Sequence, residues 1–426
     1  MTHSDWRTGR IGDVSINIID GDRSAKYPKR DEFQDEGVLF LNTTNIVSDR
    51  LDLTSANFVS EEKYSTIKKG RIRPLDIVMT TRGSVGKVAL YNGQGKGLIN
   101  AQMLILRADG ESIDPRFLFH VVRSDEFQRK LRNFASGSAQ PQIPITDLRA
   151  VTIRYPNIGI QRKIATILSA YDDLIENNTR RIKILEQMAQ MLYREWFVNF
   201  RFPGHEKVTM VESETGLIPE GWSIEPIASV TEILGGGTPA TGVPEYWEKG
   251  DIDWYSPSDL TAASSMFMFG SAKKITELGL KKSSARLFPV NCVMMTSRAT
   301  IGVVSINRTA ACTNQGFITC VPGTRISHFY IYFWMLENKD KITSIATGAT
   351  FKEINKRTFR ELPIVVPSTS VLSQFQHTVS PIGGLIENLL RRNKILRYTR
   401  DLLLPKLVSG EVSVEQIKTE AVAQTV

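Results

Sequence analysis

The sequence predicts a mixed α/β (α+β) chain: two globular domains joined by two long antiparallel helices, built as one internal repeat with pseudo-two-fold symmetry. Three observations carry this. LIENNTRRIKIL from Leu174 recurs as LIENLLRRNKIL from Leu385, with 9 of 12 positions identical and an offset of 211 residues. Short β-rich runs broken by Gly, Asn and Asp fill the stretch before each copy. Apolar residues at spacings of three and four then run through the copies themselves. The offset far exceeds the roughly 20–50 residues of a solenoid repeat, so the duplicated unit is a domain plus a helix.

The first domain spans 1–155. Gly37–Leu41, Ile77–Thr81, Lys87–Tyr91 and Met103–Leu106 read as strands, and Pro115–Phe134 as a helical stretch. Pro156 opens the central helical segment, 156–203. Its seam passes through Ile160, Ile164, Ile167, Leu168, Tyr171, Leu174, Ile175, Ile182, Leu185, Ala189, Leu192 and Trp196. A helix from Ile160 to Phe197 is roughly 55 Å long at about 1.5 Å per residue, so it needs a partner of similar length. Trp196-Phe197-Val198-Asn199-Phe200-Arg201-Phe202-Pro203 ends it.

The second domain occupies 204–367, and the second helical segment 368–410, with a seam through Ile386, Leu389, Leu396 and Leu403. Residues 411–426 form a tail. Ser380-Pro381-Ile382-Gly383-Gly384 stands where the first helix has Ser169-Ala170-Tyr171-Asp172-Asp173. Proline lacks a backbone donor and glycine disfavours helix by about 1 kcal/mol, so a kink or break is expected there. Asn178 and Asn393 fall near seam positions, where a polar residue either fixes register or merely edges the seam. The order domain, helix, domain, helix suggests a caliper with its two heads at opposite ends.

The repeat extends into the domains. Phe40–Ile46 aligns with Trp254–Leu260, Val78–Gly86 with Met294–Gly302, and Gln102 with Gln315. Hydrophobic content of 41% and charged content of 23% are ordinary for globular chains. No apolar run is long enough to span a bilayer, and Met1–Ile11 does not read as a leader, so no membrane association and a cytoplasmic location are expected. Cys292, Cys312 and Cys320 lack metal-ligand spacing and read as buried thiols of a reducing compartment. Five scattered histidines support neither a metal site nor a triad.

Catalytic motifs are missing. Ser256-Pro257-Ser258-Asp259 lacks the tandem prolines of an adenine methyltransferase, and Gly83-Ser84-Val85-Gly86-Lys87 is too short for a P-loop. Gly235-Gly236-Gly237-Thr238-Pro239 reads as a loop. Glu61-Glu62-Lys63 has no matching lysine at Glu277-Leu278-Gly279.

Nucleic-acid binding fits better. The net charge is +8, and basic clusters recur: Lys68, Lys69, Arg71 and Arg73 in the first half, Lys273, Lys274, Lys281, Lys282 and Arg286 in the second. Thr80-Thr81-Arg82-Gly83-Ser84 and Thr296-Ser297-Arg298-Ala299-Thr300 put an arginine and small hydroxyls at a strand end in each copy. Ser138, Gln140 and Gln142, beside Arg129, Lys130 and Arg132, correspond to Thr350 and Lys352, ahead of Lys356, Arg357 and Arg360. Phosphates need such cations and hydroxyls, and base edges need bidentate Arg, Asn or Gln. The competing reading makes them structural turns, with Arg82 and Arg298 bonding carbonyls.

Over essentially its whole length the chain resembles the specificity (S) subunit of type I restriction-modification systems. The matching strings are Gly216-Leu217-Ile218-Pro219-Glu220-Gly221-Trp222, Gly236-Gly237-Thr238-Pro239 with Glu245-Tyr246-Trp247, Trp254-Tyr255-Ser256-Pro257, Trp196-Phe197-Val198, and Leu403-Leu404-Pro405-Lys406-Leu407-Val408-Ser409-Gly410-Glu411. The resemblance implies two target-recognition domains reading a bipartite, asymmetric site in double-stranded DNA. It also implies a non-catalytic role, since two methyltransferase (M) subunits and two restriction-motor (R) subunits would supply the chemistry with S-adenosylmethionine, ATP and Mg. Residues set for the spacer and M-subunit interface are Leu174, Ile175, Ile182, Leu185, Leu192, Trp196, Ile386, Leu389, Leu396 and Leu403. The alternative is a two-headed DNA-binding adaptor without methylation partners.

Overall fold

The computed structural model describes residues 6–93, 95–134, 142–214, 216–298, 300–348 and 352–414. The chain divides into two compact units, Met1–Asn177 with Arg392–Val426, and Asn178–Arg391. The division cuts across both long helices, Ile158–Phe197 and Thr369–Ser409, so each unit holds one globular domain and half of each helix.

In the first unit one sheet runs in the order Asn57–Val59, Val38–Leu41, Gly97–Ile99, Arg71–Ile72. A second runs Ile16–Asp20, Met103–Ala108, Ile77–Thr80, Val88–Leu90. Val38–Leu41 and Ile77–Thr80 are covered on both faces, so Val38–Leu41 and Ile77–Met79 read as unbroken apolar runs rather than alternating ones. Val38–Leu41 and Gly97–Ile99 are parallel, with Phe40 opposite Leu98. The expected helix Pro115–Phe134 is two helices, Pro115–Arg123 and Asp125–Phe134. Ser124 between them is extended (φ −63°, ψ 148°) and its hydroxyl accepts from Phe127 N, a helix-start signal within the sequence that periodicity alone overlooks.

The second unit repeats the plan. Lys273–Ile275, Ile252–Tyr255 and Ala311–Thr313 form one sheet, and Thr231–Gly235, Phe317–Pro322, Val293–Thr296, Val304–Asn307 and Phe267–Met268 the other. Trp254 lies opposite Cys312 in the parallel pair, as Phe40 lies opposite Leu98. All three cysteines are buried, and burial pushes the Cys292 and Cys312 thiols up to about 12 and that of Cys320 higher still.

Each globular core extends into helix. In the first unit Ile164, Ala165 and Leu168 share a cluster with Phe117, Leu118, Leu404, Leu407 and Val408. Asp172 meets Arg400 and Ile175 meets Asn393, so the helix segments here run antiparallel. In the second unit Ile182, Ala189, Tyr193, Trp196 and Phe197 pack with Phe375, Val379, Ile386 and Leu389. Phe197 sits 4.9 Å from Phe375 and 4.8 Å from Tyr330 between ring centroids, which accounts for the aromatic cluster that closes the first helix.

The expected break at 380–384 does not occur: the second helix continues unbroken from Thr369 to Ser409. Pro381 and His377 are exposed, so water can satisfy the His377 carbonyl that loses its donor. Gly383 is buried where a Cβ would stand 2.4 Å from Phe329 Cζ. The glycine is there for close approach of a ring, and tertiary packing outweighs its weak helix propensity. Its counterpart in the first helix, Asp172, instead bonds Arg123 and Arg400 at 2.8 and 2.7 Å.

Candidate nucleic-acid interface

The strand Ile77–Thr80 is buried throughout and delivers Arg82 to an exposed rim. The Thr80 hydroxyl donates to Ser84 O and accepts from Lys87 N, while Gly86 N, at φ +85°, bonds Thr80 O. Thr81 N bonds Gln102 O at 2.8 Å, and Ile143 N bonds Thr81 O at 3.0 Å. Arg82 and Gln142 thereby face each other across an isolated antiparallel bridge. The hydroxyls of Thr80 and Thr81 are buried and spent on the turn, leaving Arg82, Ser84 and Gln142 exposed.

Neighbouring turns converge on this rim. Asn100 N bonds Leu41 O at 2.9 Å, and its side chain receives Gln102 N and reaches Asn42. Gly21 lies so close that a Cβ would be 2.2 Å from Asn100 O. Arg23 donates to Ala101 O. Ile99 N bonds Gly70 O, which brings exposed Lys68 and Lys69 alongside. The structure therefore sets Arg82, Ser84 and Gln142 on one rim, with the Lys68-Lys69 turn beside the Ile99–Asn100 segment that leads into it. Asn42, Arg23 and Gln102 join them, and only chain pairing, not local pattern, could have revealed that. Lys68, Lys69 and Arg82 provide charge, and the amides provide a donor-and-acceptor surface.

The second unit builds the same rim on Val293–Thr296. Thr296 donates to Thr300 O and accepts from Val303 N, and Gly302 N, at φ +84°, bonds Thr296 O. Ser297 N bonds Gly316 O at 2.8 Å and Ile354 N bonds Ser297 O at 3.1 Å. Arg298 and Thr300 are exposed. Arg298 faces Glu353 across the equivalent bridge, with Nε 2.7 Å from the carboxylate. The partner of Gln102 in this register is Gly316 rather than Gln315, since Asn100 and Asn314 each accept from the residue two further on. Gln315 is exposed and accepts from Thr238 at 2.6 Å.

The basic clusters of the two halves correspond only in part. Lys273 pairs with Trp254 as Asn57 pairs with Phe40, so Lys273 and Lys274 occupy the strand equivalent to Asn57–Val59. Lys68 and Lys69 follow the helix Glu61–Thr66; their counterparts Lys281, Lys282 and Arg286 end or follow the helix Glu277–Lys281. Lys274 lies 3.5 Å from Asp253, and Lys273 sits over the Trp247 ring. Arg71 is structural: it donates to Ile67 O and Tyr64 O and stacks 4.3 Å over Tyr64. Lys352 is exposed, while Ser138, Gln140 and Thr350 lie outside the described residues.

Along the helices, Ile175, Ile182, Trp196, Ile386 and Leu389 are buried, and Leu174, Leu185, Leu192, Leu396 and Leu403 are half-buried. Ile182, Trp196, Ile386 and Leu389 belong to the core of the second unit with Leu185 and Leu192 packed against it, and Leu403 packs against the core of the first. Asn178 and Asn393 are buried too. Exposed apolar residues other than Leu385 form two further stripes: Ile184, Met188 and Met191 on the first helix, and Ile395, Tyr398 and Leu402 on the second. Spacings of three, four and seven put each set on one helix face. Ile184 and Ile395, like Met191 and Leu402, are equivalent through the 211-residue repeat.

A family model described as "Type I restriction modification DNA specificity domain" matches residues 3–187 and again 219–388. The HindI type I restriction enzyme specificity subunit of Haemophilus influenzae is 23% identical over 472 aligned residues, covering 96% of this chain and 100% of that protein. The MjaIX specificity subunit of Methanocaldococcus jannaschii is 26% identical over 352, covering 80% and 78%. The crystal structure of a type I restriction-modification S subunit from M. genitalium superposes with a TM-score of 0.58 at 16% identity, covering 96% of this chain and 97% of that one.

Proposed function

From the premise that the chain belongs to the type I restriction-modification DNA specificity family, we propose that it reads a bipartite, asymmetric site in double-stranded DNA and directs adenine methylation or cleavage carried out by partner subunits. The observation that supports this best is the rim built twice on one backbone plan with different side chains on it: Arg82 with Gln142, and Arg298 with Glu353. One scaffold carrying two sets of readers suits two unlike half-sites.

The chain contributes recognition alone. Methyl transfer requires a base flipped from the stack, and that chemistry belongs to two M subunits using S-adenosylmethionine. Cleavage belongs to two R subunits using ATP and Mg. The stripes Ile184–Met188–Met191 and Ile395–Tyr398–Leu402 are the surfaces offered to the M subunits, because exposed apolar patches of this kind are costly unless covered. Among the described residues no helix is long and apolar enough to cross a membrane, and the complex would work in the cytoplasm. The helices of 40 and 41 residues would set the unread gap between half-sites. Inserting one heptad into both should lengthen that gap, and an unchanged gap would show that helix length does not set it.

The test is methylation mapping in a methylation-free host co-expressing this chain with its M subunit. The expected result is a split motif carrying methyladenine on both strands, one mark per half. An assembled complex that methylates nothing refutes the proposal.

A further inference from the structure

Resting on that reading, we propose that the residue across the bridge from each strand-end arginine selects a base pair: Gln142 in one half-site and Glu353 in the other. The two positions share a scaffold. Ile143 N bonds Thr81 O and Ile354 N bonds Ser297 O, each fixing the segment beside the strand end. Thr80 and Thr296 lock their turns through the same pair of hydrogen bonds. The backbone therefore presents Arg82 with Gln142, and Arg298 with Glu353, in matching register.

What differs is donor and acceptor character. Gln142 is neutral and can both donate and accept, and among the described residues Arg82 makes no ion pair. Glu353 only accepts, and it holds Arg298 at 2.7 Å while the two side chains remain 41% and 46% exposed. An ion pair that open adds little to stability, so the fold does not account for Glu353. Beside a polyanion a carboxylate is unfavourable unless it meets a hydrogen-bond donor, which turns it into a filter against the wrong base. In the major groove the donors are the exocyclic amines of cytosine and adenine, and the acceptors matched to arginine are guanine O6 and N7. A C·G pair offers both on one edge: the amine to Glu353 and the guanine acceptors to Arg298. Gln142 imposes no such filter, and its amide suits the adenine edge, an acceptor beside an amine.

The experiment maps methylation by the assembled complex carrying E353Q, E353A or Q142E, with thermal melting of each variant as a check on folding. Glu353→Gln and Glu353→Ala should relax one position of one half-site, lowering discrimination there by roughly 10- to 100-fold, with the other half-site unchanged. Gln142→Glu should change one position of the other half-site only, from adenine toward cytosine, whose N4 amine a carboxylate accepts. An unchanged motif in all three variants overturns the inference. So does a uniform drop in methylation at an unchanged motif, which would mark these side chains as backbone contacts. Failure of the wild-type complex to methylate any site would refute the broader function instead, so the two failures are told apart.

Discussion

Asp172 is the polar hub of the first unit, and Asp172→Asn tests whether that hub holds the globular part to the helices. One carboxylate oxygen receives Arg400 Nη1 at 2.7 Å and the other Arg123 Nη1 at 2.8 Å. The Arg123 side chain is 4% exposed, and its Nε and Nη2 are buried without an acceptor. A carboxamide in place of the carboxylate would offer one acceptor and no charge, leaving two guanidiniums facing each other. Of the carboxyls that remain nearby, Asp401 keeps Arg400 Nη2 at 2.8 Å, while Asp49 has its pKa raised by burial although Arg123 and Arg400 oppose the rise. Breaking a buried pair by removing one partner costs about 3–5 kcal/mol, and the partial exposure of Arg400 and Asp172 places this case near about 3 kcal/mol. Urea unfolding should show the loss in the first unit's transition, with coupling in a D172N/R400M double-mutant cycle. A D172N chain that unfolds within about 0.5 kcal/mol of wild type would show that the cluster is solvated and stabilises nothing.

Gly383→Ala should destabilise the second unit by about 1–3 kcal/mol, because its Cβ would fall 2.4 Å from Phe329 Cζ; raised helix propensity with no penalty in thermal melting would contradict that packing. Burial, helped by Arg308, lowers the His328 pKa to about 4, so protonation favours the unfolded chain. Stability should be full above about pH 6.5 and fall toward pH 4 by about 1.4 kcal/mol per unit, and H328N should flatten that slope. His120 is shifted the same way by burial and adds to the acid sensitivity. The double substitution Ile184→Glu and Ile395→Glu should leave unfolding unchanged but weaken co-purification of the M subunit by about tenfold or more; undiminished assembly would clear both stripes of that role.

The helices and central strands were legible because their signals are local and redundant. Val38–Leu41 and Ile77–Met79 are unbroken apolar runs, and the seam from Ile164 to Trp196 repeats along nearly the whole first helix. The rim was half legible. Arg82 and Arg298 stand out in the repeated strings, but that Gln142 and Glu353 oppose them depends on hydrogen bonds between segments about 55–60 residues apart. Pro381 and Gly383 misled because propensity weighs the residue while Phe329 decides its use. Lys273 and Lys274 misled because composition carries no register, and only the pairing of Lys273 with Trp254 sets them on the strand.

The division of the chain has a consequence for its synthesis. The second unit is contiguous, Asn178–Arg391, and can close as soon as it leaves the ribosome. The first cannot: Ile164 and Leu168 wait for Leu404, Leu407 and Val408, which emerge roughly 240 residues later. At about 5–20 residues per second the nascent chain carries that uncovered helix face for roughly 10–50 s, the interval in which an arriving subunit or a chaperone has access to it.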